Sequence, residues 1–392
     1  IVFFFKFIFI IYIIKVITNF GYNQKYKVQK NLMNIYQSMS YKKFTNRNSS
    51  DYIHSIKILT DMYRGIIMIA LKLVSDLLVA ILIILFLAYI NILALFIMMA
   101  LLLVSAVIYD FYFKRKLDYF GKVSNVSSID AIKVFNESIN GLKEIRILKK
   151  EKYFHQLFNN FIMKENKYSA RAQFITSIPR SYLEFLMIIF LVIFVTSYLL
   201  MGYEMLTIAP ILGTFGIAAL RLMPAANTFL SSIVQFRFNK YAISLLYKDH
   251  IDKDSEYLRN FDDIHLKEFD SLSIENIYFK YNNNSTYLLE KINLKISRGQ
   301  IIGIIGSSGS GKTSLVDLIM GLHKPDQGSV KINNQNIFNV LGSWRRMVAY
   351  IPQDIFLIDD SIKKNIALGI KEDDIDTNLL QRSIINSSLD KL

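Results

Sequence analysis

Long apolar runs constrain this chain more than any other feature, because about 20 consecutive apolar residues are enough for a helix to cross a bilayer. Of the 392 residues, 52% are hydrophobic and the mean hydropathy is +0.30, which is uncommon in soluble domains. The longest run is interrupted near Tyr89–Asn91, so it predicts two antiparallel spans instead of one. We therefore predict five spans: Val2–Ile17, two within Ile66–Phe113, Tyr182–Met201 and Ile208–Phe229.

The formal net charge of +14 raises the possibility of nucleic-acid binding, which the distribution of the basic residues does not favour. Lys and Arg are concentrated in two polar stretches, 21–65 and 114–180, and are absent from the two short loops on the opposite side. Basic residues of this kind mark the cytoplasmic side of a membrane protein. We predict that both stretches are cytoplasmic and that nucleic acid is not a partner. The absence of Cys excludes disulfides and thiolate metal sites.

The first residue is Ile1, which lies inside an apolar run without an initiator Met or a charged leader. If a cytoplasmic domain follows the fifth span, the first span begins on the outer side. We therefore expect a sixth span upstream and a chain that is truncated at both ends.

The pattern changes after the fifth span. Residues 1–249 are predicted to form a transmembrane domain with long cytoplasmic helix extensions, 250–270 a linker and 271–392 the N-terminal part of an α/β domain. A helix is predicted over Lys312–Leu322. Short β-rich runs separated by Gly, Pro and Asp turns are predicted to be strands: Leu272–Tyr281, Ile292–Ile296, Gln300–Ile305, Ser329–Ile332 and Met347–Ile351.

The strongest motif matches the phosphate-binding loop G-x-x-x-x-G-K-[ST] at every fixed position. An apolar predicted strand precedes it and a predicted helix follows, whereas a glycine-rich turn that binds nothing would not need that context. Backbone amides and the helix N-terminus would bind phosphate oxygens, Lys312 would reach the β- and γ-phosphates, and the Thr313 hydroxyl would bind Mg²⁺. The predicted phosphate-binding residues are Gly306, Ser307, Ser308, Gly309, Ser310, Gly311, Lys312, Thr313 and Ser314.

Two further residues are ambiguous on chemistry alone. Tyr281 ends a predicted strand and could stack on adenine, but it could equally be an ordinary strand aromatic. Gln353 follows Pro352 after a β-rich run and could bind the metal or its water, but Pro-Gln is also an ordinary turn.

Taken in order, these motifs resemble the ATP-binding cassette family: Phe279-x-Tyr281, the loop Gly306–Thr313, Gly321-Leu-x-x-Pro-x-x-Gly328 and Pro352-Gln353-Asp354. The resemblance covers the whole chain, because the preceding spans are similar to those of ABC exporters with six spans per half-transporter. It implies a membrane α-helical bundle with five of six spans, followed by a partial α/β P-loop cassette. It also implies that Tyr281 stacks on adenine, that Gln353 contacts Mg²⁺, and that Tyr41–Ile56 and Asn136–Lys152 contain short coupling helices.

The family's LSGGQ motif, its Walker B Asp with the catalytic Glu, and its switch His follow the glutamine loop, and none of them precedes Leu392. We therefore expect ATP and Mg²⁺ as cofactors, no catalytic residue within these residues, and ATPase activity only in the complete protein. The resemblance further implies a second half-transporter as partner, in a homodimer, within the inner (plasma) membrane and with the cassette in the cytoplasm.

Three segments also resemble bacterial flippases for lipid-linked oligosaccharides: Asn136–Glu151, Ile178–Glu184 and Val316–Leu322. The expected function is therefore ATP-driven export or flipping of a lipid-linked saccharide or another lipid. Export of peptides or drug-like molecules is an alternative, as is a catalytically defective cassette subunit with a regulatory or gating role. An intact catalytic Glu would favour a pump over the second alternative.

Overall fold

The computed structural model describes residues 1–200, 202, 205–251, 266–281, 286–353 and 355–389. The chain divides into two compact units. The helical unit comprises the described residues up to 251 together with Tyr281 and Asp317–Lys324. The strand unit comprises 266–280, 286–316 and the described residues from 325 onward.

Five helices of the helical unit are long and apolar enough to cross a membrane, which confirms the predicted number of spans. Several of them extend far beyond one bilayer thickness, in agreement with the predicted long helix extensions. The helices of this unit are α1 (Val2–Gln37), α2 (Tyr41–Thr45), α3 (Ser49–His54), α4 (Thr60–Ile90), α5 (Ile92–Asn140), α6 (Leu142–Ile147), α7 (Glu151–Leu200) and α8 (Met205–Ile251).

Asn91 produces the predicted break in the longest apolar run. Its backbone is extended, with φ −158° and ψ 105°, and its side-chain oxygen accepts a hydrogen bond of 2.9 Å from the Ala94 amide. Asn is among the best residues for capping a helix N-terminus, so α4 ends and α5 begins at this single residue. The side-chain amide also donates to the Tyr198 hydroxyl at 2.6 Å, which links the turn to α7.

The core of the spans is built from apolar side chains on α4, α5, α7 and α8. Phe194 and Phe215 are fully buried and their rings stack with centroids 6.1 Å apart. At Gly121, α5 and α8 approach so closely that a Cβ on this residue would overlap the Phe238 carbonyl oxygen. Only glycine permits this contact, because any other residue would force the two backbones apart.

Short helices occur in both polar stretches, as the family resemblance implies. The first stretch contains α2 and α3, and the second contains α6 after a break at Gly141. Phe44 on α2 stacks on Tyr52 of α3 with ring centroids 5.0 Å apart, and the Tyr52 hydroxyl donates to the Phe44 carbonyl. The two short helices of the first stretch are thus joined through their side chains.

The strand unit contains a four-stranded antiparallel sheet in the order β2-β1-β3-β4. Its central strand pairs on both sides, with Leu272 opposite Ile296 on one neighbour and Ile332 on the other. The predicted first, second and fourth strands are confirmed, with slightly different ends. The strands are β1 (Ser271–Phe279), β2 (Leu289–Ser297), β3 (Gln327–Ile332) and β4 (Gln335–Asn336).

Two predicted strands, Gln300–Ile305 and Met347–Ile351, are wrong. Neither run is in a strand in the described part of the chain, and Ile301 and Ile305 are 99% and 96% exposed. A strand needs a hydrogen-bonded neighbour, and neither run pairs with another described segment.

The remaining helices are α9 (Lys312–Ile319), α10 (Leu341–Met347), α11 (Ile362–Ile366) and α12 (Thr377–Asn386).

The predicted helix Lys312–Leu322 is three residues shorter than expected. Gly321 has φ +66°, and its amide donates to the Leu318 carbonyl while the Leu322 amide donates to Asp317. This hydrogen-bond pair is the Schellman motif, which ends a helix at a left-handed glycine.

Candidate nucleotide-binding site

The loop Gly306–Gly311 forms a tight turn that requires glycine at its end. Gly309 and Gly311 have φ of +81° and +90°, a region that residues with a Cβ rarely adopt. A Cβ on Gly311 would also lie 2.8 Å from Cδ2 of Leu289 on β2. Backbone conformation and packing therefore both select glycine immediately before Lys312.

Lys312 is the first residue of α9 and folds back over the loop. Its Nζ donates to the carbonyl oxygens of Gly306 and Ser307 at 2.9 and 2.7 Å. The Ser310 amide donates to the Ser307 carbonyl at 3.2 Å, which keeps the loop curled. A positive charge, a helix N-terminus and an exposed loop backbone thus converge in one place, an arrangement suited to an anion.

The neighbours of Lys312 differ in exposure. Thr313 is exposed at the start of α9, whereas Ser314 is buried. The loop residues Ser307, Ser308 and Ser310 are exposed. Thr313 is therefore accessible at the start of the helix, where a phosphate-bound metal could meet it.

Gln353 lies in an exposed segment without regular secondary structure, and its neighbour Asp354 is outside the described residues. Gln353 and Thr313 are both exposed, and no hydrogen bond joins these two predicted metal-binding residues in the described part of the strand unit.

Tyr281 follows the end of β1 and is 41% exposed. Its ring contacts the imidazole of His323, with centroids 5.4 Å apart and planes at 90°. At this exposure much of the tyrosine surface is accessible, which is compatible with stacking on a second aromatic group.

His323 was not predicted from the sequence, where it is a lone histidine after a helix stop. Its side chain is 2% exposed and lies between Tyr281 and Tyr41, the first residue of α2; the Tyr41 ring centroid is also 5.4 Å away. Burial lowers the pKa of His323, Asp317 opposes this shift and Lys42 adds to it. Burial likewise raises the pKa of Asp317, with His323 opposing. No sequence pattern could have identified His323, because its contacts are tertiary.

Comparison with known proteins gives matches along most of the chain. The family profile described as ABC transporter transmembrane region matches residues 1–224, and the profile described as ABC transporter matches 289–391. A solved structure of a bacterial Atm1-family ABC exporter with ATP bound has a TM-score of 0.72 at 15% identity. That match covers 90% of this chain and 63% of the exporter chain.

Curated relatives match over shorter regions. A probable ABC transporter ATP-binding/permease protein of Haemophilus influenzae is 28% identical over 250 residues, which are 61% of this chain and 43% of the relative. The leukotoxin export ATP-binding protein LtxB of Aggregatibacter actinomycetemcomitans is 44% identical over 98 residues, 25% of this chain and 14% of LtxB. A putative multidrug export ATP-binding/permease protein of Staphylococcus aureus is 36% identical over 99 residues, 25% of this chain and 17% of the relative.

The chain thus spans less than half the length of these curated relatives. The transmembrane profile nevertheless matches more than half of this chain, and the cassette profile matches the region that contains the phosphate-binding loop. The protein belongs to the ABC transporter family, with an exporter-type membrane region and an ATP-binding cassette region on one chain.

Proposed function

We propose that the protein is an ABC half-transporter that couples ATP hydrolysis to export or flipping of a substrate across the membrane. The observation that carries this proposal is the geometry of Lys312, whose ammonium group donates hydrogen bonds to the carbonyl oxygens of Gly306 and Ser307 in the phosphate-binding loop. The same chain contains five helices that are long and apolar enough to span a membrane. A phosphate-binding loop joined to a membrane bundle is suited to converting nucleotide chemistry into membrane movement.

ATP is bound through three groups of residues in this proposal. The amides and side chains of Gly306–Ser314 surround the phosphates, and Lys312 exchanges its two carbonyl partners for phosphate oxygens. Tyr281 stacks on the adenine ring, and its half-exposed ring supports this role.

Thr313 and Gln353 are the residues that would hold Mg²⁺ in this proposal, through a hydroxyl and an amide oxygen. Within the described residues, no group of three or more His, Asp or Glu side chains could hold a metal ion. The two oxygen donors of Thr313 and Gln353 fit Mg²⁺, which binds few protein ligands and keeps water and substrate phosphates in its coordination shell.

The chemistry of these residues is electrostatic. Lys312 and the N-terminus of α9 stabilise the negative charge that develops on the γ-phosphate during transfer to water. ATP hydrolysis also requires a residue that orients the attacking water, and no such general base is assigned among these residues. The 392 residues alone are therefore expected to bind ATP weakly and not to hydrolyse it.

A second half-transporter, in a homodimer, completes the proposed machine, as is typical of the family. Residues 1–249 form the transmembrane domain, 250–270 the linker and 271–392 the first part of the cassette. The protein lies in the inner (plasma) membrane with the cassette on the cytoplasmic side, which the basic stretches 21–65 and 114–180 support.

The proposed substrate is a lipid-linked saccharide or another lipid with an anionic headgroup. Arg221 supports this class, because it is an exposed side chain on α8 within the predicted span Ile208–Phe229. A charged residue at such a depth is costly and usually faces a partner or a substrate pathway. Peptide or drug-like substrates are the second candidate, favoured by relatives named for leukotoxin export and multidrug export.

Nucleotide binding is tested with Lys312→Ala in the full-length protein. We expect the variant to lose most ATP binding and all turnover, whereas Lys295→Ala, an exposed lysine on β2, should change neither. Tyr281→Ala should weaken ATP binding by about 1–3 kcal/mol, the range for a base stacked on an aromatic side chain. Hydrolysis that survives Lys312→Ala would refute the proposed site.

The substrate class is tested by stimulation of ATP hydrolysis with candidate substrates in lipid vesicles. Stimulation by an anionic lipid should be lost in Arg221→Ala, retained in Arg221→Lys, and unaffected in Arg180→Ala, an exposed arginine on α7. Stimulation by cationic drugs that does not depend on Arg221 would favour the second candidate.

A further inference from the structure

Three rings form a row in the helical unit, and the middle one has no assigned role. Tyr41 and Tyr281 each contact the His323 imidazole at a centroid distance of 5.4 Å, with interplanar angles of 57° and 90°. Tyr281 is the proposed adenine-binding residue, and Tyr41 begins the short helix α2. The row therefore links a nucleotide contact to a helix of the first cytoplasmic stretch.

His323 is held firmly between its two neighbours. The left-handed Gly321 ends α9 and reverses the chain direction, and Pro325 restricts the backbone two residues after the histidine. The side chain is almost completely buried. Because burial lowers its pKa, the imidazole is neutral near pH 7 and can pack against two aromatic rings without desolvating a charge.

Tyr41 lies where a small displacement of its ring can be transmitted along α2 and to α3. It lines an apolar cavity of about 640 Å³ that is also bordered by Phe44, Tyr52 and Leu322. Open space beside the ring allows it to move without repacking a filled core, since filled cores resist such changes. Phe44 stacks on Tyr52, so a movement of α2 would also reach α3.

We propose that His323 is a positioning residue that orients Tyr281 for stacking on the nucleotide base and transmits the position of Tyr281 to Tyr41 on α2. This inference rests on the proposed adenine-binding role of Tyr281. Without the imidazole, the tyrosine ring loses a packing partner that restricts its orientation, so part of the stacking energy is spent on ordering it. The expected loss of affinity therefore depends on the adenine base of the nucleotide and not on its phosphates.

The test compares two ligands of the full-length protein in lipid nanodiscs: Mg·ATP, which has a base, and Mg·tripolyphosphate, which has none. We expect His323→Ala to weaken ATP binding about two- to tenfold, the range for one aromatic contact, and to leave tripolyphosphate binding unchanged. His323→Phe keeps a flat ring and should restore most of the ATP affinity. His155→Ala, an exposed histidine on α7, is the matched control and should alter neither ligand.

The outcomes separate this inference from the proposed function. If Tyr281→Ala selectively weakens ATP and His323→Ala does not, the adenine-binding role stands and the role of His323 is refuted. If His323→Ala weakens both ligands equally, His323 supports the phosphate loop and the inference is also refuted. If Tyr281→Ala has no effect while Lys312→Ala abolishes binding of both ligands, the adenine-binding role fails and the inference falls with it.

A second measurement tests the link to α2. Asn46, the exposed C-cap of α2, is replaced by Cys in a cysteine-free background, and its labelling rate is measured with and without saturating ATP. We expect ATP to change the rate in the parent protein, and the change to be lost in His323→Ala although the site is saturated. An equal ATP-induced change in both proteins would refute transmission through His323.

Discussion

Replacing Asp249 should loosen the polar stretch 21–65, because one carboxylate holds four segments of the helical unit together. Asp249 lies in the last turn of α8 and is 5% exposed. Its oxygens accept hydrogen bonds from Tyr36 on α1 at 2.7 Å, from Arg47 between α2 and α3 at 2.7 Å, and from Ser55 at 2.9 Å. An acidic residue near a helix C-terminus is unfavourable on its own, so these donors must stabilise it.

The loss of local stability on replacing Asp249 depends on how exposed its hydrogen-bonding partners are. Removing one member of a buried ion pair costs about 3–5 kcal/mol. Arg47 is about one-third exposed and also lies 3.8 Å from Asp51, so water and a second carboxylate replace part of the loss. For Asp249→Asn, which keeps the shape and some hydrogen bonds, we estimate about 2 kcal/mol of local stability, or about a 30-fold larger opening constant.

The assay is amide hydrogen exchange of residues 41–55 in the full-length protein, because local opening determines exchange there. Tyr36→Phe and Ser55→Ala should each give smaller increases, of about 1 kcal/mol for one lost hydrogen bond. Glu268→Gln removes the carboxylate of an exposed pair with Arg298 and is the control, expected to change little. Exchange within threefold of the parent protein in Asp249→Asn would refute the reasoning.

Three further predictions concern the membrane helices. Gly121→Ala should destabilise the packing of α5 against α8 by about 1–3 kcal/mol, since its Cβ would overlap the Phe238 carbonyl; the melting temperature in detergent should fall, and an unchanged value would contradict the close approach. Asn91→Ala should cost about 1 kcal/mol in the same assay through the lost helix cap, whereas Asn91→Asp, which keeps an acceptor, should cost less. In whole cells, an impermeant reagent should label a Cys at Asn91 and not one at Lys149; the reverse pattern would overturn the predicted orientation.

Features that depend on local sequence were the ones that could be predicted. Span number follows from the length and hydropathy of each run, and the break at Asn91 follows from a polar residue with good capping ability. The phosphate-binding loop was identified because its glycines are required by the backbone itself, as the φ of +90° at Gly311 illustrates. Family membership followed from the order of such local motifs.

Features that depend on distant partners could not be predicted in the same way. Ile301 and Ile305 have the composition of a strand, but pairing is a property of two segments and neither residue has a paired neighbour in the described part of the chain. His323 gave no pattern at all. Asp249 gave a weak signal, because an acidic residue in the last turn of a helix contradicts the local preference for basic residues there. Such contradictions often mark a tertiary contact.

The contacts of Asp249 and His323 lead to the same short segment from two sides. Asp249 fixes the connection after α2 through Arg47, and His323 contacts the first residue of α2 through Tyr41. The charged contact is short and directional and its carboxylate is buried, whereas the aromatic contact borders an open cavity. A segment held rigidly at one end and loosely at the other moves mainly by pivoting about the rigid end. If the proposed role of His323 is correct, α2 therefore pivots about Arg47, and its movement is smallest at the neighbouring Asn46. Asp249→Asn frees this end of α2, so it should enlarge the ATP-dependent labelling change at Asn46 without altering the affinity for ATP.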